Sequence, residues 1–108
     1  MQHLTDANYQ EKIKGATVLV VKYYADWCGP CQMMKPVMEE VAAKISKANS
    51  EVEFAELNID EARTGADEAG VMTIPTIIVY RDGEEIDRQI GGSDAVDLEK
   101  FIKSNLES

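Results

Sequence analysis

The run from Val18 to Ala25 (VLVVKYYA) constrains this chain more than any other feature. Continuous β-branched and aromatic residues suit a central strand covered on both faces, whereas a strand with one wet face would alternate. A strand of this kind needs helices on both sides of its sheet. One charge interrupts the run, Lys22, between Val21 and Tyr23, where a solvated side chain has no obvious exit.

The flanking segments supply the helices. Gln2–Thr5 fits a short edge strand, and Asp6 is placed to cap a helix over 7–14 that Gly15 ends. From Cys31 to Ala48 the apolar residues Met34, Val37, Met38, Val41, Ala42 and Ile45 recur at helical spacing, with Pro36 inside that helix. Glu51–Ile59 reads as a second strand, and 62–69 as a short helix closed by Gly70. Thr76–Arg81 (TIIVYR) is a third strand, Asp82-Gly83 a hairpin signal, and Glu85–Ile90 the returning strand. Gly91-Gly92 ends it, Ser93 is placed to cap, and Leu98, Phe101, Ile102 and Leu106 stripe the last helix. The order predicts parallel βαβ units, then an antiparallel hairpin: a mixed α/β sheet with helices on both faces.

Length and composition narrow the class. No stretch of the 108 residues has the composition of a linker or a repeat, so one domain over 1–108 is expected. A chain this long buries roughly two-thirds of its unfolded surface and needs neither disulfide nor metal to fold. Eleven basic against twenty acidic side chains give a net charge of -9, which disfavours nucleic acid or an anionic membrane as a general partner. No apolar run approaches the ~20 residues of a membrane span. The start, MQHLTDANYQEK, has neither the basic nor the apolar region of a signal peptide, so none is expected.

The two cysteines, Cys28 and Cys31, sit where the buried strand hands over to a helix, in Trp27-Cys28-Gly29-Pro30-Cys31. Two thiols this close, in a chain that needs no staple, point to redox or metal chemistry. Zinc takes four protein ligands, or three and a water; His3 is the only histidine and there is no third cysteine, so no metal is expected. At a helix start, unpaired N–H groups and the helix dipole favour thiolate over thiol. Cys28 lies at the start, and Cys31 one turn later falls within reach of its sulfur. Gly29 and Pro30 suit the tight turn and the helix's first residues.

At these residues the chain resembles the thioredoxin family along nearly its whole length. The resemblance rests on Ala25-Asp26-Trp27-Cys28-Gly29-Pro30-Cys31, Pro36, Leu57-Asn58-Ile59-Asp60, Ile74-Pro75-Thr76, Asp82-Gly83 and Gly91, in order and at compatible spacings. It implies a thioredoxin fold, α/β, with a central mixed sheet of about five strands flanked by about four helices. It implies a redox disulfide Cys28–Cys31 that reduces disulfides in substrate proteins, is recharged by a thioredoxin reductase, and binds no cofactor. It further implies a cytoplasmic monomer. Gly-Pro between the cysteines matches the reducing members, whereas isomerases and exported oxidases carry a histidine there that stabilises the reduced thiolate. Pro75 corresponds to a cis-proline facing the cysteines. That geometry leaves the Ile74 carbonyl and the Thr73 amide free to pair with an extended substrate, with Trp27, Gly91 and Gly92 completing a flat docking patch. His3 reads as an ordinary surface residue, and the acids between Glu51 and Glu68 as solvated faces. A scaffold module of the same fold, without redox turnover, is the rival of another class; an isomerase or oxidase is the rival within it.

Three positions depart from the family, two of them by inverted charge. The buried aspartate it carries six residues before the first cysteine is Lys22 here, and the lysine before Leu-Asn-Ile-Asp is Glu56. The expected arrangement is a swapped Lys22–Glu56 pair beneath Cys31, with Glu56 as the carboxylate able to take the Cys31 proton. Tyr24 replaces a common tryptophan, a change of packing.

Overall fold

In a computed structural model, which describes residues 1–106, the chain runs β1 (Gln2–Leu4), α1 (Tyr9–Gly15), β2 (Val18–Tyr24), α2 (Gly29–Ala48), β3 (Val52–Asn58), α3 (Arg63–Glu68), β4 (Thr76–Arg81), β5 (Glu84–Ile90) and α4 (Ala95–Ser104). The strands form one sheet in the order β1-β3-β2-β4-β5. β1, β2 and β3 are mutually parallel, joined through the helices between them. β4 runs antiparallel to β2, so the chain reverses through α3, one element before the hairpin to β5.

β2 is the middle strand, and all of it but Tyr24 is buried. Its odd residues, Leu19, Val21 and Tyr23, pack with Leu4, Tyr9 and Ala66 on the face of α1 and α3. Val18 and Val20 pack with Met34, Met38, Val41 and Ile45 of α2 and with Leu98 and Ile102 of α4. The uninterrupted apolar run is therefore the signature of a strand serving two cores. Alternation along β2 puts Lys22 on the α2 side, beyond Val20.

Three local expectations change. Asp6 does not cap α1: its carboxylate accepts the N–H groups of Gly65 (2.9 Å) and Thr64 (3.4 Å), at the start of α3. α1 begins two residues later than expected, behind a reciprocal pair in which Thr5 N–H donates to Asn8 Oδ1 and Asn8 N–H to Thr5 Oγ1. Asp94, not Ser93, caps α4, accepting the Asp97 N–H at 2.8 Å. Asp82 and Gly83 both adopt positive φ, as a type I′ hairpin turn requires.

Candidate active site

Tyr24 ends β2 at the edge of the core, and four residues later Cys28 is the N-cap of α2. Pro30 occupies the first turn, where its missing N–H leaves no bond unmade. Cys28 and Cys31 are disulfide-bonded with Cα atoms 5.2 Å apart. The Cys31 N–H donates to Cys28 Sγ at 3.2 Å, so one orphan amide of the helix start is committed to the outer sulfur. Cys28 is 6% exposed and Cys31 2%, which makes Cys28 the outer member of the pair.

The Ile74–Pro75 bond is cis, and Pro75 is buried beside the cysteines; the Ile74 carbonyl lies 3.9 Å from Cys28 Sγ. Gly91 approaches from the end of β5, at positive φ, and donates its N–H to Pro75 O at 2.8 Å. Thr73 and Gly92 are exposed around this ring, as are Trp27 and two methionines, Met33 and Met72. Of the residues expected to form a docking patch, Ile74 is in contact with Cys28, and Gly91 is tied to Pro75.

Beneath the cysteines, β2 and β3 place Lys22 opposite Glu56 in register, and β1 places His3 opposite Glu56. Lys22 Nζ lies 3.8 Å from Glu56 Oε2, within ion-pair range but too far for a hydrogen bond. Lys22 is buried, Glu56 only partly so. Burial pulls the Lys22 ammonium below the usual lysine range, against the attraction of Glu56. Lys22, Glu56 and Cys31 line one cavity of about 150 Å³, with Tyr24 and Asp26 also on its lining. His3, Gln32 and Lys35 complete it. His3 is therefore not remote from the motif, although its ring is bonded to Glu61.

Sequence reasoning missed Asp60. Its Oδ2 accepts the Trp27 indole N–H at 2.8 Å, so one of the acids taken as a solvated face fixes the exposed ring beside the disulfide. Asn58 Oδ1 in turn accepts the Asp60 N–H. The motif Leu57-Asn58-Ile59-Asp60 carried that signal without revealing what it holds. Among the described residues, no cluster of three or more His, Cys, Asp or Glu side chains is placed to hold a metal ion. No helix among them is long and apolar enough to cross a membrane.

The family model described as Thioredoxin matches residues 1–104. Thioredoxin from Alicyclobacillus acidocaldarius is 41% identical over 104 residues, covering 96% of each chain. Thioredoxin from Chlamydia muridarum is 36% identical, covering 97% of this chain and 98% of its own. The oxidised form of mitochondrial thioredoxin 3 from Saccharomyces cerevisiae superposes with a TM-score of 0.81 at 35% identity, covering 96% of this chain and 94% of that one. Five strands, four helices and a cysteine pair at the start of α2 define a dithiol–disulfide oxidoreductase. The chain belongs to the thioredoxin family, whose members act by thiol–disulfide exchange, and Cys28 and Cys31 are its redox-active pair.

Proposed function

We propose that the protein reduces disulfides in other proteins, with Cys28 as nucleophile and Cys31 as resolving thiol. The Cys28 thiolate attacks one sulfur of the substrate disulfide; a Cys28–substrate bond forms and the other substrate sulfur leaves as thiolate. Cys31 then attacks Cys28 Sγ, the mixed disulfide breaks, and the second substrate sulfur departs. Two electrons have passed to the substrate, and the Cys28–Cys31 disulfide remains. A thioredoxin reductase returns the two electrons, so no bound cofactor is needed. The observation that supports these roles is the committed amide: the Cys31 N–H donates to Cys28 Sγ, and a helix N-terminus favours negative charge at that sulfur.

Trp27, Thr73, Ile74, Gly91 and Gly92 form the docking rim, and Pro75 sets the approach of an extended substrate segment beside Cys28. Gly29 and Pro30 hold the two sulfurs one helical turn apart, without the histidine that would make the couple more oxidising. Lys22 and Glu56 support the pair from below. A reducing carrier of this kind works as a monomer in the cytoplasm, where thiols are kept reduced.

The test is a trap. Cys31→Ser should accumulate mixed disulfides with substrate proteins and with the reductase, captured from lysate and released by reductant, whereas Cys28→Ser should capture none. In the reduced wild type, Cys28 should be alkylated first, with a pKa below the ~8.5 of a free thiol. Capture by Cys28→Ser and not by Cys31→Ser would reverse the roles.

A further inference from the structure

Resolution requires an ionised Cys31, and little of the helix start serves it. Cys31 is 2% exposed, and burial by itself favours the neutral thiol. Its own N–H is given to Cys28 Sγ. The buried cation in the cavity beside it is Lys22, whose side chain is 3% exposed and whose ion-pair partner Glu56 stands 3.8 Å off.

We propose that Lys22 is the positioning charge of the resolving step: its ammonium, facing the cavity it shares with Cys31, holds Cys31 as thiolate. The inference rests on the two-cysteine reading above and deepens it. It also moves the support role from Glu56, expected as the proton acceptor, to the lysine.

Depth decides between the charges that face this cavity. Glu56 from β3 is about a quarter exposed, and Asp26 from the turn before α2 is exposed, so water screens both carboxylates. Lys35 of α2 faces this cavity and Glu39 an adjoining one; they oppose each other in sign and are exposed, while His3 of β1 is bonded to Glu61. Tyr24 of β2 is neutral, its hydroxyl pushed up to about 12 by burial, and its ring lies 5.0 Å from Lys22 Nζ. Lys22 is the one ionised group of this set withdrawn from water, so its field reaches Cys31 least screened. Burial already disfavours the ammonium more than Glu56 compensates, and a second anion lining the same cavity relieves it.

In the step itself, the Cys31 proton leaves to solvent past Glu56. The sulfur's electron pair forms the bond to Cys28 Sγ, the Cys28–substrate bond breaks, and the substrate sulfur leaves with that pair and takes a proton from solvent.

Stopped-flow reaction of the reduced full chain with an aromatic disulfide, 5,5′-dithiobis(2-nitrobenzoate), separates the two attacks. The first thiolate released scales with reagent and reports Cys28; the second is first-order and reports Cys31. Lys22→Met should raise the pH midpoint of the second phase by about one unit and slow it about tenfold at pH 7, with the first phase within about twofold of wild type. Lys22→Arg should stay near wild type. Glu56→Gln, which leaves the ammonium in place, should keep the midpoint or lower it. An unchanged second phase in Lys22→Met overturns the proposal. Should that variant not fold, slowing of the second phase in Glu56→Gln overturns it as well, because the carboxylate would then be handling the proton. A wild type with no second phase at all would instead fail the two-cysteine reading.

Discussion

Trp27 is 70% exposed, yet its indole N–H is tied to Asp60, so the ring beside Cys28 is held rather than loose. A pre-set aromatic loses less freedom when a substrate covers it. Asp60→Ala should therefore lower kcat/KM for a protein disulfide such as insulin about fivefold, the worth of about 1 kcal/mol of lost positioning. Turnover of a small aromatic disulfide, which does not need the ring, should stay within twofold, and the Trp27 emission should shift. Equal losses on both substrates would place Asp60 in the chemistry instead. The chemistry-bearing residues were legible because their spacing is local: Cys28, Gly29, Pro30 and Cys31 are one helical turn. Asp60 was not, because nothing in a lone acid thirty-three positions from Trp27 announces a contact between the loops that follow two neighbouring strands. Lys22 was legible for the opposite reason, since a charge inside an apolar run has to be explained.

At the scale of elements, the strands were plain to read and the caps were not. β2 and β4 announce themselves by runs that only a doubly covered strand tolerates, and Asp82-Gly83 by a turn that needs positive φ at both residues. A helix start is weaker, because Ser, Thr, Asp and Asn all qualify and tertiary partners decide among them. Ser93 and Asp94 are adjacent candidates. Ser93 is drawn elsewhere, its N–H to Met34 Sδ at 3.3 Å and its hydroxyl accepting from Gln89, which leaves Asp94 as the cap. Asp6 likewise follows β1 but serves α3, a six-residue helix whose capping residue, Ala62, has no side-chain bond to offer. Asp94→Ala should cost about 1 kcal/mol in urea unfolding, and Ser93→Ala only a few tenths. Asp6→Ala should also cost about 1 kcal/mol, although it lies outside every helix. A larger loss in Ser93→Ala than in Asp94→Ala would restore the cap to Ser93.

Across the whole molecule, the sheet separates two cores of different character. The α2–α4 side carries the aliphatic and methionine packing under the cysteines, while the α1–α3 side buries paired tyrosine hydroxyls, Tyr23 and Tyr80, 2.6 Å apart. Burial is the chief cause pushing both phenols upward, Tyr23 far above the usual tyrosine value, and their mutual contact keeps Tyr23 there. A group whose folded pKa lies above its unfolded value stabilises fully below the unfolded value, about 10 for tyrosine, and loses that contribution as pH rises through the folded one. Above pH 10 the unfolded chain sheds phenolic protons that the fold retains, so stability should fall by about 1.4 kcal/mol per pH unit for each tyrosine held neutral. Lys22 runs the other way: its folded pKa is lowered, so its burial penalty is present at neutral pH and fades as pH climbs toward the unfolded lysine value. Comparing wild type with Tyr23→Phe cancels the lysine and isolates the phenol. At pH 7 the variant should lose about 1 kcal/mol for the broken hydroxyl pair. Between pH 10 and 11.5 its stability should fall more gently than wild type by about 1.4 kcal/mol per unit, so the two curves converge and then cross. Urea unfolding at four pH values measures this directly. Parallel curves would mean that Tyr23 reaches solvent and ionises within the folded protein, and that the α1–α3 core opens in alkali before the sheet does.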